Sequence, residues 1–268
     1  MIRLSRRSAA ASPLHFRRME VKYLLPDRLV PSFLERIAPY TEVDPFLVAS
    51  GQGQTQYPVT SLYFDSIDLH ALAEKDAGLL SRRKLRLRTY GEEFSERASC
   101  FLEIKRRHDF VVSKDRLALS VGRVSHAPTE DLLSHLLHRI EADARVTAEA
   151  NILHRRYNLQ PTALVRYLRI PFVARHDRRF RITVDRDLAG FWRPARFLGP
   201  VPLHRCLIGY SVIELKWNHA VPSWFHAAIQ DFNLVRTAFS KYAVTVLSLR
   251  EVFSGVPVSI LRPVASFF

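Results

Sequence analysis

Lys84-Leu85-Arg86-Leu87-Arg88-Thr89-Tyr90 sets charged against apolar residues at alternate positions. A period of two turns successive side chains to opposite faces of a strand, so the cations share one face and Leu85 and Leu87 the other. The pattern returns in Phe101-Leu-Glu-Ile-Lys-Arg106, in Lys114 to Leu119, in Phe180-Arg-Ile-Thr-Val-Asp185 and in Ile213-Glu-Leu-Lys-Trp217. Val59 to Phe64 and Arg18 to Leu24 read as two more strands.

Helical stretches separate these strands. Pro26 and Asp27 open one with Leu29, Val30, Phe33, Leu34 and Ile37 on a single face; Pro31 falls in its first turn, where a missing N–H is tolerated. Asp65 or Ser66 can cap a short helix through Leu72 and Lys75. Asp131 to Ile140, Thr147 to Tyr157, Ser223 to Phe232 and Arg236 to Leu249 carry helical spacing. Residues 51–54 read as a loop and match no dinucleotide fingerprint. The mixed order, strands dominating the middle, predicts an α+β fold around an antiparallel sheet or barrel. Trp217, Trp224, Phe225 and Phe232 read as core.

The chain has 268 residues, 47% of them hydrophobic, enough for one large domain. Its formal net charge of +14 predicts a polyanionic partner: nucleic acid, an acidic membrane or a phosphate chain. Cys100 and Cys206 form no metal spacing and no disulfide framework, which fits a reducing, cytoplasmic interior. No apolar run predicts a transmembrane helix. Residues 1–16 read as a basic, flexible arm, 17–252 as one domain and 253–268 as a C-terminal tail.

One Arg-X-Arg strand alone reads as a solvated outer face. The set resists that reading. Several strands share the alternation, their charged positions are mostly basic, and like charges opposite one another destabilise a sheet. A face bearing Arg86, Arg88, Lys105, Lys114, Arg116, Arg166, Arg181 and Lys216 therefore wants a compensating polyanion. A closed barrel of about eight strands can hold one small ligand, and Arg forks match phosphate oxygens in pairs. Since Arg169 lies three positions beyond Arg166, a strand would point only one of the two inward. Three acids accompany the cations, each two residues before a Lys: Glu20-Val-Lys22, Glu103-Ile-Lys105 and Glu214-Leu-Lys216. Each pair shares a face and could hold a hard divalent cation beside phosphate, or merely form a local salt bridge.

At these residues the sequence resembles the VTC domain, a branch of the triphosphate tunnel (CYTH-like) superfamily. The matching stretches are Arg18-Met-Glu-Val-Lys-Tyr23, Tyr57 to Asp65, Arg83 to Arg88, Phe101 to Lys105, Lys114-Asp-Arg116, Arg181 to Asp185, Glu214-Leu-Lys216 and Ser240-Lys-Tyr242. They run in the family's order from about residue 17 to 250. The resemblance implies a closed antiparallel β-barrel, a triphosphate tunnel with flanking helices. It implies a polyphosphate polymerase that moves the γ-phosphoryl of ATP onto a polyphosphate chain with Mn2+ or Mg2+.

Carried over by motif, Lys22, Arg86, Arg88, Lys105, Lys114 and Arg116 would grip phosphates, with Arg166, Arg181 and Lys216 from the second half and Lys241 at one tunnel end. Glu214 would ligate the metal, helped by Glu20 or Glu103. Catalysis would fall to Lys22, Arg86, Arg88, Lys105, Arg181 and Glu214. A far tunnel mouth would guide product out. Hydrolytic relatives begin Glu-X-Glu-X-Lys; here the first Glu position is Arg18, which fits the VTC branch.

ATP and inorganic polyphosphate are then the expected partners, with no nucleic acid, and recruitment by a membrane partner stays open. No Gly-x-x-x-x-Gly-Lys-Ser/Thr loop is present, which counts against a P-loop ATPase. His135 and His138 could share a helix face but lack further zinc ligands. Three readings remain: polymerase, tripolyphosphate or nucleoside-triphosphate hydrolase, and a non-catalytic module for polyphosphate or RNA. The Leu and Ile interleaved with the cations count against RNA, which asks for exposed aromatics.

Overall fold

The computed structural model describes residues 19–48, 54–92, 99–109, 111–120, 124, 129–139, 144–218 and 220–254. Arg18, Ile140, the arm at 1–16, the loop at 51–53 and the tail beyond 254 lie outside them.

Ten strands form one antiparallel sheet: β1 (Met19–Pro26), β2 (Thr41–Val43), β3 (Tyr57–Asp65), β4 (Ser81–Thr89), β5 (Ser99–His108), β6 (Val111–Ser120), β7 (Gln160–Ala174), β8 (Arg181–Trp192), β9 (His204–Arg205) and β10 (Tyr210–Trp217). The main path runs β1-β10-β8-β7-β3-β4-β5-β6, with β2 on β7 and β9 on β8. The helices are α1 (Val30–Ile37), α2 (Pro45–Val48), α3 (His70–Asp76), α4 (Thr129–Arg139), α5 (Ala144–Tyr157), α6 (Ser223–Asp231) and α7 (Lys241–Ser254).

Alternation decides which face each helix covers. Leu85, Leu87, Leu102, Ile104, Leu117 and Leu119 leave the sheet on its outer side, where leucines of α4 and α5 bury them. On the other half, Val21, Tyr23, Ile182, Val184, Ile213 and Leu215 do the same beneath Phe33 and Ile37 of α1 and Phe225 of α6. Full burial of each such side chain stabilises by about 1.5–3 kcal/mol. Trp217 and Phe225 are core, and Trp224 and Phe232 pack against it. With the apolar faces outward, the alternating Lys84, Arg86, Arg88, Glu103, Lys105, Lys114, Arg116, Arg181, Asp185, Glu214 and Lys216 point inward, while Arg106 and Asp115 lie outside with Glu149 of α5.

The sheet curls until its edges approach: Lys105 on β5 hydrogen-bonds Glu20 on β1 at 3.1 Å. The expected closed barrel is corrected here: among the described residues β1 and β6 end the path without pairing. Both edges carry inward charges, Glu20 and Lys22 on β1 and Lys114 and Arg116 on β6, which keep edge strands from zipping together.

α7 lies on the inner side. Its Tyr242, Ala243, Val246 and Leu249 pack against the inward Val59, Tyr63, Ala163, Val165 and Leu188. α7 therefore fills one end of the interior. Gly190 on β8 makes room: a Cβ there would stand 2.3 Å from Thr245 Cγ2 and 2.6 Å from the Leu164 carbonyl. α7 begins five residues later than its spacing predicts. Residues 236–239 run extended along β1 instead, with Thr237 N–H donating to the Lys22 carbonyl at 2.8 Å and Lys22 Nζ to the Phe239 carbonyl at 3.2 Å. Asp65 and Ser66 both cap α3: the Asp65 carboxylate accepts from Ala71 N–H at 2.8 Å, and Ser66 Oγ from His70 N–H at 2.9 Å.

Candidate functional site

Register sets the inner face row by row. On β3-β4-β5-β6, Tyr63, Arg86, Glu103 and Arg116 stand opposite one another, with Ser61, Arg88, Phe101 and Ala118 in one flanking row and Lys84, Lys105 and Lys114 in the other. Three lysines stand abreast on adjacent strands and repel, and Glu103 and Glu20 offset two of them.

Glu103 is the counter-charge of this wall. It is fully buried; Arg86 Nε donates to its Oε2 at 2.8 Å and Lys114 Nζ to its Oε1 at 2.8 Å. Burial pushes the carboxyl up, but Arg86, Arg88 and Lys114 outweigh it and hold it at about 2. Arg86 also donates to Tyr63 OH at 2.9 Å, and Arg88 to Ser61 Oγ at 3.0 Å. Burial pulls Lys84 and Lys105 down to about 8.

The opposite wall, β1-β10-β8-β7, is richer in acid. Lys22 faces Glu214 and Glu20 faces Lys216 across β1 and β10. Glu214 pairs with Lys216 and lies 3.8 Å from Lys241 Nζ and 3.9 Å from Arg169 Nη2. Burial opposes its charge, yet Lys216, Lys22, Lys241 and Arg169 hold it well below the usual carboxylate range. Glu20 lies 3.3 Å from Lys22 and 3.1 Å from Lys105. Burial and Glu214 push it up, while Lys105, Lys22 and Lys216 hold it at about 2. Asp185 accepts from Arg169 at 2.6 and 2.8 Å and meets Lys241 Nζ at 2.6 Å. Arg181 stands opposite Lys216 at the open mouth, paired with Asp44.

A family model described as the VTC domain matches residues 17–250. The chain belongs to the VTC-domain family. Its fold is similar to that of a proposed adenylyl cyclase from Hippeastrum, described as having a dominant triphosphatase activity, at 16% identity and a TM-score of 0.51, covering 90% of this chain and 98% of that one. A proposed adenylate cyclase from Vibrio parahaemolyticus (12% identity, TM-score 0.42, covering 84% and 97%) and one from Bacillus halodurans (13%, 0.41, 94% and 97%) are more distant. No curated protein matches.

In this VTC domain, Lys22, Arg86, Arg88, Lys105, Lys114, Arg116, Arg181, Lys216 and Lys241 all come from inward-facing positions or from α7 between the walls. Arg166 does not. It sits opposite Thr60 on the outer side of the ladder, donates to Thr60 Oγ1 at 3.3 Å and to the Glu92 carbonyl at 3.2 Å, and is corrected accordingly. The strand turns Arg169 inward in its place. Asp185, Lys84, Tyr63 and Tyr167 also belong to the inner face; alternation in 180–185 and 84–90 marked Asp185 and Lys84, and only register reveals the tyrosines.

Among the described residues no cluster of three or more His, Cys, Asp or Glu converges as a metal cage. Glu214 and Glu20 are diagonal neighbours across β1 and β10, near enough for their charges to repel. Two carboxylates completed by substrate phosphate suit Mg2+ or Mn2+, which take hard oxygen ligands and few from the protein. Glu103, the third expected ligand, stands on the other wall between Arg86 and Lys114, apart from that pair. A separate cleft of about 110 Å³ between α3, β4 and α5, lined by His70, Glu74, Arg83 and Tyr157, opens away from the basic interior.

Proposed function

We propose that this VTC domain is a polyphosphate polymerase, moving the γ-phosphoryl of ATP onto a terminal phosphate of a polyphosphate chain. The observation that carries the reading is the single inward set of cations, Lys22, Lys84, Arg86, Arg88, Lys105, Lys114, Arg169 and Lys241, drawn from six elements around one space. Such a lining positions phosphates and offsets their charge, which is most of what phosphoryl transfer asks of a protein.

Arg86, Arg88 and Lys114 would hold phosphates from one wall, and Arg169, Lys216 and Lys241 from the other. Glu214 with Glu20 would hold a divalent cation, Mn2+ or Mg2+, which when bound offsets charge on the phosphate oxygens. An oxygen of the acceptor's terminal phosphate, ionised at neutral pH, attacks the γ-phosphorus as the bond to the β-phosphate oxygen breaks and ADP leaves. No side-chain nucleophile or general base is needed. α7, packed across one end, limits the approach of water from that side.

Incubation with ATP and manganese tests the reading. A phosphate polymer supports the polymerase, and orthophosphate alone turns the site into a hydrolase.

A further inference from the structure

The inner face ends, at the edge of β3-β4-β5 away from α7, in three aromatic rings. Tyr57 and Tyr90 meet edge to face with centroids 5.7 Å apart, and Tyr90 meets Phe101 in the same way at 6.0 Å. The group is not core: Tyr90 is 40% exposed and the other two are half-buried. Two of the rings lie beside cations already placed in the phosphate lining. Phe101 stands directly opposite Arg88, and Tyr57 directly opposite Arg169. The Arg116 guanidinium lies 4.8 Å over the Phe101 ring. Thr60 Oγ1 donates to the Gly91 carbonyl at 2.6 Å and anchors the backbone next to Tyr90.

From Arg86 through Arg88 to Tyr90, just past the end of β4, is four residue steps, about 13 Å at the antiparallel rise. That is the reach of an extended nucleoside triphosphate whose last phosphate lies at Arg86. Cations in the interior and π-faces at the rim match a ligand that is anionic at one end and flat and aromatic at the other. A bare phosphate chain has no use for the rings.

We propose that Tyr57, Tyr90 and Phe101 form a stacking platform for the base of a nucleoside triphosphate, so that the site selects nucleotides over inorganic phosphate chains as donor. This rests on the reading of the interior as the ATP phosphate site and adds the residues that hold the base. Stacking reads the π-face that every base offers, so the platform accepts different bases alike.

Calorimetric titration of the full chain with ATP and, separately, with inorganic tripolyphosphate tests it. Tyr90→Ala removes the most exposed ring, where folding is least at risk. The variant should bind ATP about tenfold more weakly, tripolyphosphate within about twofold of the parent, and Tyr90→Trp should restore ATP binding. Unchanged ATP affinity in Tyr90→Ala, or equal losses for both ligands, overturns the platform alone. A parent protein that binds neither ligand overturns the phosphate site itself and the platform with it.

Discussion

Arg169 and Asp185 stand opposite each other on β7 and β8, joined Nε to Oδ1 at 2.6 Å and Nη2 to Oδ2 at 2.8 Å. Asp185 also holds Lys241 of α7. One buried carboxylate thus orients two cations toward the shared interior, while Arg166, three residues earlier on the same strand, points away.

That difference separates the two arginines functionally. Arg169→Ala should weaken tripolyphosphate binding by roughly tenfold or more, the loss of one charge-assisted hydrogen-bonding group. Arg166→Ala should leave it within about twofold, as for an outward ion pair. Calorimetric titration of both variants checks the order, and the reverse order would reverse the facing of β7.

The three Glu-X-Lys glutamates should also part company. Glu214→Gln is expected to abolish metal-dependent turnover while ATP still binds; full activity would remove Glu214 from the metal's ligands. Glu103→Gln should act on stability, because it leaves Arg86, Arg88 and Lys114 converging on an uncharged group, at a cost of about 3–5 kcal/mol. Glu103 is held at about 2 against an ordinary 4.5. Its contribution is therefore complete above 4.5 and lost as pH falls through about 2. Urea melts of parent and variant should converge as the pH drops through that window, and a gap independent of pH would contradict the pairing.

These contrasts also show what was legible in the sequence. Alternation in 84–90, 101–106 and 213–217 fixed the strands and their charged face, since one side of each is apolar and packed under helices. β7 was harder: Ala163, Val165 and Tyr167 meet α7 inside while Leu164 and Ile170 are buried outside, so the run lacks a polar face to betray its period. The facing of Arg166 and Arg169 depends on pairing with β3, which no local pattern carries. The filled tunnel end was hidden too, because the inward side of α7 becomes visible only once Gly190 has a neighbour.

Gly190→Ala should push α7 out of its seat. The added Cβ has backbone on one side and the Thr245 methyl on the other, so strain of about 1–3 kcal/mol is expected. Thermal melting should fall, and triphosphate binding should weaken with it because Lys241 opens α7. A variant as stable as the parent would mean that α7 has slack against β8.

Ligand affinity should depend on alkali. Lys84 and Lys105 sit at about 8 in the free protein, lowered first by burial. A bound phosphate chain would keep both protonated. Affinity should be complete below about 8 and decline above it as the free protein sheds those protons. Titrations with tripolyphosphate at about pH 7 and about pH 9 compare the two regimes. Tighter binding at the higher pH would exclude both lysines from the site.

The most direct measurement is calorimetric titration of the chain with inorganic tripolyphosphate at low and high salt, for the parent and for Arg86→Ala. The account predicts one saturable site whose affinity falls with salt and is largely lost in the variant. Binding that never saturates, or that survives Arg86→Ala unchanged, would place the anion on the outer surface and contradict an interior built to hold it.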